Sequence, residues 1–476
     1  MIDFTLMKHQ EDAIYRATFK KDLYLAWETG TGKTCTIIQI IRDKIKEIGR
    51  IRKTIILAPK VVLSNWKSEF KKFSGICPED IYILKGSLKD RIEFVESLGN
   101  FSAILITNYD AFQNVAFTNA LSHWGPEIIV CDEAHTLKNH RSKRAQNVSR
   151  LTEKTYHNYL LSGTPILNNS LDLFMQYQVM DGGKTFGKNF YAYRSRYFED
   201  SNAAWSSRPG HFPKFVPRKG SMEELSEKIK ISTLIAKKTE CLDLPELVTQ
   251  DLEVEMGPEQ IKAYSEMKKY FLTYINGEAV VAMQAVTKAL RLQQIVSGFV
   301  KTDTGEIIRL ANVPRMEVLK DQLEVLTPTN KVIVWACFRE NYNMIREVCR
   351  DLGIKAVELH GEVKDADREE ALRAFESDPD VRVLIGNQGA GGIGVNLVSA
   401  TYSIYYSRGF KLGDDIQSRG RNYRRGSEVH DKITHINLVT PNTIDKLISD
   451  VLASKLDIGN QILDYLKQKG RDYGIS

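Results

Sequence analysis

The hydrophobic pattern changes period several times along the chain, and each change marks an element. Leu6, Ala13, Ile14 and Ala17 fall at roughly helical spacing, which predicts an amphipathic helix over the first twenty residues. The apolar run 23–26 predicts a buried strand, and a helical pattern follows at Ile37, Ile38, Ile40 and Ile41. Short apolar runs then predict strands at 54–58, 81–84, 103–107 and 128–131, with a helix over 63–73. Buried strands alternating with helices imply a parallel sheet in a doubly wound α/β domain. The stretch 201–220, with Trp205, Pro209, Gly210, Pro213 and Pro217, breaks the pattern as an irregular loop. Helical patterns fill 222–236 and 259–296, and a second series of strands is predicted at 331–335, 356–358, 383–385, 402–406 and 435–438. The chain therefore reads as α/β, with two doubly wound parallel-sheet lobes and helical matter between them. The boundaries are a first lobe over 1–180, a helical protrusion with the irregular loop over 181–250, a helical insertion over 251–315, a second lobe over 316–450 and a bracing helix over 451–476.

Composition narrows the classes without choosing among them. At 476 residues the chain is too long for one core and suits two or three domains. It is 42% apolar and 26% charged, as in ordinary globular proteins, and its net charge of +6 permits nucleic-acid binding without demanding it. The six cysteines are scattered with no zinc spacing, so the expectation is free thiols in a reducing compartment and no structural metal. No apolar run approaches the ~18 residues of a membrane span. The N-terminus lacks a signal-peptide pattern, which together with the thiols sets the expectation of a cytoplasmic protein with no membrane partner.

Three stretches carry chemistry. In the first, the strand at 23–26 enters Trp27-Glu28-Thr29-Gly30-Thr31-Gly32-Lys33-Thr34, and a helix leaves it. A strand, a glycine loop and a helix N-terminus in that order make a phosphate cradle, because amide N–H groups and the helix dipole face the anion. Lys33 then reaches the β- and γ-phosphates and Thr34 offers a hydroxyl to Mg²⁺, although Trp27 holds the place of the pattern's first glycine. In the second, the strand at 128–131 delivers Asp132 and Glu133 at its carboxyl edge, where ligands of open α/β sheets bind. Asp132 suits a Mg²⁺ ligand and Glu133 a general base for water. In the third, 417–426, four arginines stand within seven residues, suited to meeting charge that develops on a transferring phosphoryl group.

The ordered set resembles the motor of superfamily 2 helicases, and within them the Swi/Snf-type double-stranded DNA translocases. Gln10 stands where that family has its adenine-reading glutamine, and WETGTGKT stands for the family's DEMGLGKT, which also lacks the first glycine. The stretches 54–73, ITNYDAF at 106–112, DEAHTLKN and LSGTPILNN at 161–169 are similar to successive motifs of the first lobe. In the second lobe KVIVWACF, ELHGEV with Arg368, LIGNQGAGGIGVNLVSA, and Gln417, Arg421, Arg424 and Gly426 fall in register with the family's motifs. The resemblance covers about residues 5–450. It implies two RecA-like lobes, with ATP held by Gln10, Thr29, Gly30, Thr31, Gly32, Lys33, Thr34 and Gly394, and Mg²⁺ held by Thr34 and Asp132. It implies catalysis by Lys33, Asp132, Glu133, Gln417, Arg421 and Arg424, and nucleic-acid contacts from Lys60, Asn65, Trp66, Thr107, Asn108, Lys138, Asn139, Asn168, Asn169, Arg368 and Asn396.

The implied activity is DNA-stimulated ATP hydrolysis coupled to movement on duplex or branched DNA without sequence specificity, by a monomer. A strand-separating or branch-migrating helicase and a nucleotide-gated clamp with little turnover are the alternatives. Clusters of basic and aromatic residues, such as Trp66/Lys67/Phe70/Lys71, Arg141/Lys143/Arg144 and Tyr191/Tyr193/Arg194/Arg196/Tyr197, are consistent with a phosphate-tracking groove. Three departures stand out: Trp27 for the motif's aspartate, Lys237-Lys238-Thr239 for an arginine-rich segment, and Asn387-Gln388-Gly389 for the usual Ser-Thr-Lys.

Overall fold

The computed structural model describes residues 5–163, 170–202, 213, 215–275, 282–302, 304–389 and 396–454. The chain divides after Leu242 into two compact units. In the first, strands β1 (Asp22–Trp27), β2 (Thr54–Ala58), β3 (Ile81–Ile83), β4 (Ile104–Asn108), β5 (Ile128–Asp132) and β6 (His157–Leu161) lie in one sheet with β9 (Thr233–Ala236). The intervening β7 (Phe198–Asp200) and β8 (Phe215–Pro217) form a small antiparallel ribbon. The spatial order 3-4-2-5-6-1-9 is parallel throughout. Strands β2 and β4 are buried along their whole length. A parallel sheet covered on both faces requires such continuous apolar runs, which is why these strands are visible in the sequence. Helix Lys33–Ile48 buries Ile37, Ile38, Ile40 and Ile41, which carry its helical pattern.

The second unit repeats the arrangement with β10 (Glu246–Glu253), β13 (Lys331–Trp335), β14 (Lys355–Leu359), β15 (Val381–Gly386), β16 (Ala400–Tyr405) and β17 (Lys432–Val439), and a two-stranded ribbon of β11 (Phe299–Lys301) and β12 (Ile307–Arg309) falls between β10 and β13 in the chain. The order 10-17-16-13-15-14 is again parallel throughout. A helical cluster joins Tyr264, Leu292, Ile295 and Val296 to Leu412 and to Ile444, Ile448 and Leu452. At its border buried Arg315 donates to the Tyr406 carbonyl (2.9 Å) and the Thr440 hydroxyl (2.7 Å), and pairs with buried Asp445.

Several expectations change. The pattern at 222–236 reads as one helix, but helix Ser221–Lys230 stops and Thr233–Ala236 pairs with β1 as a strand. A four-residue apolar run fits either period, and the free edge of β1 decides it. The segment assigned to a protrusion thus contributes a strand to the first sheet. Strand β6 is hidden by its polar start, His157-Asn158, and β10 by its largely exposed, charged sequence, which is typical of a sheet edge. The span 259–296 holds two helices, Pro258–Ile275 and Ala282–Val296. Of the expected bracing helix, 455–476 lie outside the described residues, while 444–454 are helical and pack within the second unit. Among the described residues no helix is long and apolar enough to cross a membrane.

Candidate functional site

The site in the first unit grows from the carboxyl ends of β1, β5 and β6. Strand β1 runs buried to Trp27, and the chain then turns through Gly30 (φ +91°) and Gly32 (φ +86°). Both lie in the left-handed region that glycine enters without steric cost. Gly32 caps helix Lys33–Ile48 and makes no side-chain capping bond, and a helix end of this kind is suited to an external anion. The Lys33 ammonium donates to the loop's own carbonyls, Trp27 O at 2.7 Å and Glu28 O at 3.2 Å. The Thr31 hydroxyl also donates to Glu28 O (2.8 Å), tightening the turn, and Thr34 sits half-buried in the first helical turn.

The first helix, Lys8–Phe19, is fastened to this loop by two consecutive residues. Gln10 is 2% exposed; its Oε1 accepts from the Met7 amide (2.9 Å) and its Nε2 donates to Gly32 O (3.4 Å). His9 Nε2 bonds Thr31 O at 2.9 Å, which fixes it as the donor, and burial lowers the imidazole pKa. The His9 ring meets Trp27 edge-on, with centroids 4.6 Å apart. Trp27 is therefore a buried core residue beneath the loop, which accounts for an indole at that position of the motif.

The acidic half lies at the end of β5. Asp132 accepts from Trp66 Nε1 at Oδ2 (2.8 Å) and from the Glu133 amide at Oδ1 (3.0 Å). The Tyr109 hydroxyl donates to the Asp132 carbonyl (2.5 Å). Desolvation and the neighbouring Glu133 charge push the Asp132 carboxyl up to about 6, against the pull of Lys33, whose charge is close enough to be felt. Glu133 occupies the left-handed region (φ +51°), an uncommon state for a non-glycine residue that turns its side chain away from the strand path. His135 Nδ1 stands 3.2 Å from Glu133 Oε2 and 3.3 Å from Ser162 Oγ. Strand β6 lies between β5 and β1, and the Ser162 amide donates to Leu25 O (3.1 Å). A Cβ on Gly163 would lie 3.3 Å from Thr29 Cγ2, so the end of β6 touches the phosphate loop. Lys33, Asp132 and Glu133 are thus gathered at one sheet edge.

In the second unit, helix Leu412–Arg419 carries Gln417, which is buried, and the following turn carries Arg421 (3% exposed) and half-buried Arg424. The Arg421 carbonyl accepts from the Leu397 amide (3.1 Å). Arg419 bonds Asp415 of its own helix (2.8 Å) and ties that helix to β17 through Asn437 (2.9 Å). Gln388 donates to Asp415 Oδ1 and Ser418 Oγ, both at 3.2 Å. The glutamine that departs from the usual motif is a buried support of this helix. Gly394 lies outside the described residues.

The expected nucleic-acid contacts divide. Lys60, Asn65, Asn139 and Asn396 are exposed, and Lys138 and Arg368 are half-buried; Lys138 pairs with Asp172 at 3.4 Å and Arg368 donates to His360 O at 2.8 Å. Trp66 and Thr107 do not fit that role: they are 1% and 0% exposed, Trp66 turned inward to Asp132 and Thr107 inside the fully buried β4. Asn108 is buried at the end of β4 and accepts from Arg91 (3.2 Å). Tyr193 and Tyr197 are likewise core residues, so of their cluster Tyr191 and Arg196 are exposed and Arg194 is half-buried. Asn168 and Asn169 lie outside the described residues. The sequence reading missed the supports of the site, Trp66 toward Asp132, His135 toward Glu133, His9 toward the loop. The DEAH spacing marked His135, but nothing in sequence links Trp66 to a strand sixty-six positions on.

Known domains and proteins match the chain over most of its length. Residues 15–299 match the SNF2-related domain and residues 314–426 the helicase conserved C-terminal domain. A putative ATP-dependent helicase/translocase, YwqA, of Bacillus subtilis is 24% identical over 92% of this chain and 46% of its own length. The DNA repair and recombination protein RAD54B of Mus musculus is 26% identical over 96% of this chain and 56% of its own length, and the TATA-binding protein-associated factor BTAF1 of Arabidopsis thaliana 23% over 96% and 25%. The chain thus spans between a quarter and just over half of these relatives. A Sulfolobus solfataricus SWI2/SNF2 ATPase core solved with dsDNA overlays with a TM-score of 0.44 at 22% identity, covering 96% of this chain and 93% of that one. With the SNF2-related domain matched over 15–299, more than half of the chain, and the helicase C-terminal domain following it, the chain belongs to the SNF2-related family of helicase-type ATPases.

Proposed function

We propose that the chain hydrolyses ATP and couples hydrolysis to movement along duplex or branched DNA, following the backbone without reading sequence. The observation that carries the reading is the gathering of Lys33, Asp132 and Glu133 at one sheet edge, around a left-handed glycine loop at a helix N-terminus. The loop carbonyls that hold the Lys33 ammonium are the partners it exchanges for phosphate oxygens when nucleotide binds. Asp132 and Thr34 are hard oxygen donors, and two such donors suit Mg²⁺, which keeps several waters. Bound there, Mg²⁺ neutralises phosphate charge. Glu133, with His135 Nδ1 3.2 Å from its Oε2, takes the proton of the attacking water. The family resemblance implies that Arg421 and Arg424 answer charge on the γ-phosphate, and Arg424 is the more exposed of the two.

Exposed Lys60, Asn65 and Asn139 supply the nucleic-acid contacts, and backbone contacts of this kind are salt-dependent and indifferent to sequence. The test is phosphate release measured with duplex DNA, single strands, branched DNA and RNA, alongside triplex displacement and forked-duplex unwinding. Stimulation by duplex or branched DNA with triplex displacement supports the proposal. Turnover indifferent to every nucleic acid defeats it.

A further inference from the structure

Trp66 is among the largest side chains the first unit hides completely, and its one polar atom is spent on Asp132. It sits on helix Leu63–Phe73, a neighbour in sequence of Asn65 and Lys67, while Asp132 ends strand β5, which pairs with the β2 strand that precedes this helix. The Asp132 carboxylate is thereby clasped from two directions: indole N–H on Oδ2 and its own chain's Glu133 amide on Oδ1. Tyr109 fixes the backbone of the same residue through its carbonyl. Each carboxylate oxygen accepts one hydrogen bond there and retains a lone pair. An indole N–H is a donor only, so it cannot exchange roles and let the carboxylate rotate. It is also neutral. A lysine or arginine in its place would hold the carboxylate equally well but would compete with a cation for it.

We infer that Trp66 is a positioning residue for Mg²⁺, an indole that sets the orientation of the Asp132 carboxylate without cancelling its charge. This rests on the proposed reading of Asp132 as an oxygen donor to Mg²⁺. Partners of this kind orient metal ligands, and their loss typically costs about 10- to 100-fold in metal affinity or activity.

The experiment uses the whole chain with Trp66→Phe, which keeps a ring in the cavity and deletes the donor. Binding of a fluorescent ATP analogue is titrated with EDTA and then with increasing Mg²⁺. The expected result is analogue affinity within about twofold of wild type in EDTA, and a Mg²⁺ midpoint about tenfold or more higher. In wild type labelled with ¹⁵N-tryptophan, the indole N–H resonance that disappears in Trp66→Phe should exchange slowly with solvent and shift on adding Mg²⁺ with ADP. That second measurement needs no mutant to be active, so a poorly folded variant does not rescue the idea. An unchanged Mg²⁺ midpoint in a folded variant, or a Trp66 resonance indifferent to Mg²⁺, overturns the inference. A wild type whose nucleotide binding ignores Mg²⁺ altogether would instead defeat the reading of Asp132 beneath it.

Discussion

Replacing Gly32 with alanine tests how the phosphate loop is built. At φ +86° an L-residue pays about 1–2 kcal/mol of backbone strain. The new Cβ would also stand 2.2 Å from Gln10 Nε2, so the glutamine amide must move. It is the far end of a flexible side chain, and steric relief alone is easy. Gln10 is 2% exposed, however, and moving it breaks its bonds to the Met7 amide and Gly32 O, about 0.5–1.5 kcal/mol each. Together Gly32→Ala should weaken the local structure by about 2–5 kcal/mol, a 30- to 5000-fold loss of protection in hydrogen–deuterium exchange for the Thr36 amide, which donates to Gly32 O. This local probe suits a chain of two units, in which global unfolding is not two-state. Gln10→Ala in the same background removes the collision but leaves the strain. The double mutant should therefore fall short of the summed single effects by about 1–3 kcal/mol, the two Gln10 bonds that both single changes remove. Strict additivity, or wild-type protection in Gly32→Ala, would refute the claim that Gln10 and Gly32 share one packed contact.

Four further outcomes are expected. Lys33→Ala should lose about 10- to 100-fold in affinity for ATP, the worth of its charged hydrogen bonds, in a fluorescent-analogue titration. Glu133→Gln should bind nucleotide normally and lose about 10²–10⁴-fold in kcat, and wild-type phosphate release from it would remove Glu133 from the role of base. Because the Asp132 carboxyl is raised to about 6, protons compete with Mg²⁺ below that pH. Apparent Mg²⁺ affinity should hold above pH 6 and fall toward about tenfold per pH unit beneath it, whereas Asp132→Asn should bind Mg²⁺ weakly with no such slope. Asp445→Ala leaves Arg315 buried beside fewer partners, and thermal unfolding of the second unit should register a loss of about 3–5 kcal/mol.

The two sheets were legible where their strands are apolar throughout, and the catalytic groups because they cluster in short segments at strand ends. Lys33 and Glu133 announce themselves by neighbours one to three positions away. Legibility fails where the partner is distant in sequence and chemically unremarkable. A tryptophan followed by a lysine, on a helix with exposed polar neighbours, suggests a surface contact. Only the packing of helix Leu63–Phe73 turns that ring inward to Asp132. Thr107 misleads for the same reason, since a threonine in a strand reads equally as an exposed hydroxyl or a β-branched core residue. The missed strands β6, β9 and β10 are the converse case. Their local patterns are short or polar, and their conformation is set by the edge they pair with.

Two departures from the family's motifs, far apart in the chain, prove to be one local structure. Trp27 and the segment Lys237-Lys238-Thr239 lie 210 positions apart, yet β1 and β9 pair in register as far as Trp27 opposite Ala236. The ladder continues past the strand ends, where the Glu28 amide donates to Ala236 O (3.0 Å). The Glu28 carboxylate then returns the contact, accepting from the Lys238 amide (2.9 Å) at the start of the short helix Lys238–Cys241. A carboxylate at a helix N-terminus is favoured by the exposed amides and the dipole. The donor here is the backbone of Lys238, so this bond does not depend on whether lysine or arginine occupies the position. What it does require is an acidic side chain directly after the tryptophan, at the entrance to the phosphate loop. The same Glu28 offers its carbonyl to Lys33 and Thr31. One residue therefore holds the phosphate-binding lysine with its backbone and the last element of the first unit with its side chain, so movement of Lys33 toward a phosphate changes the load on Glu28 and on the segment that it caps.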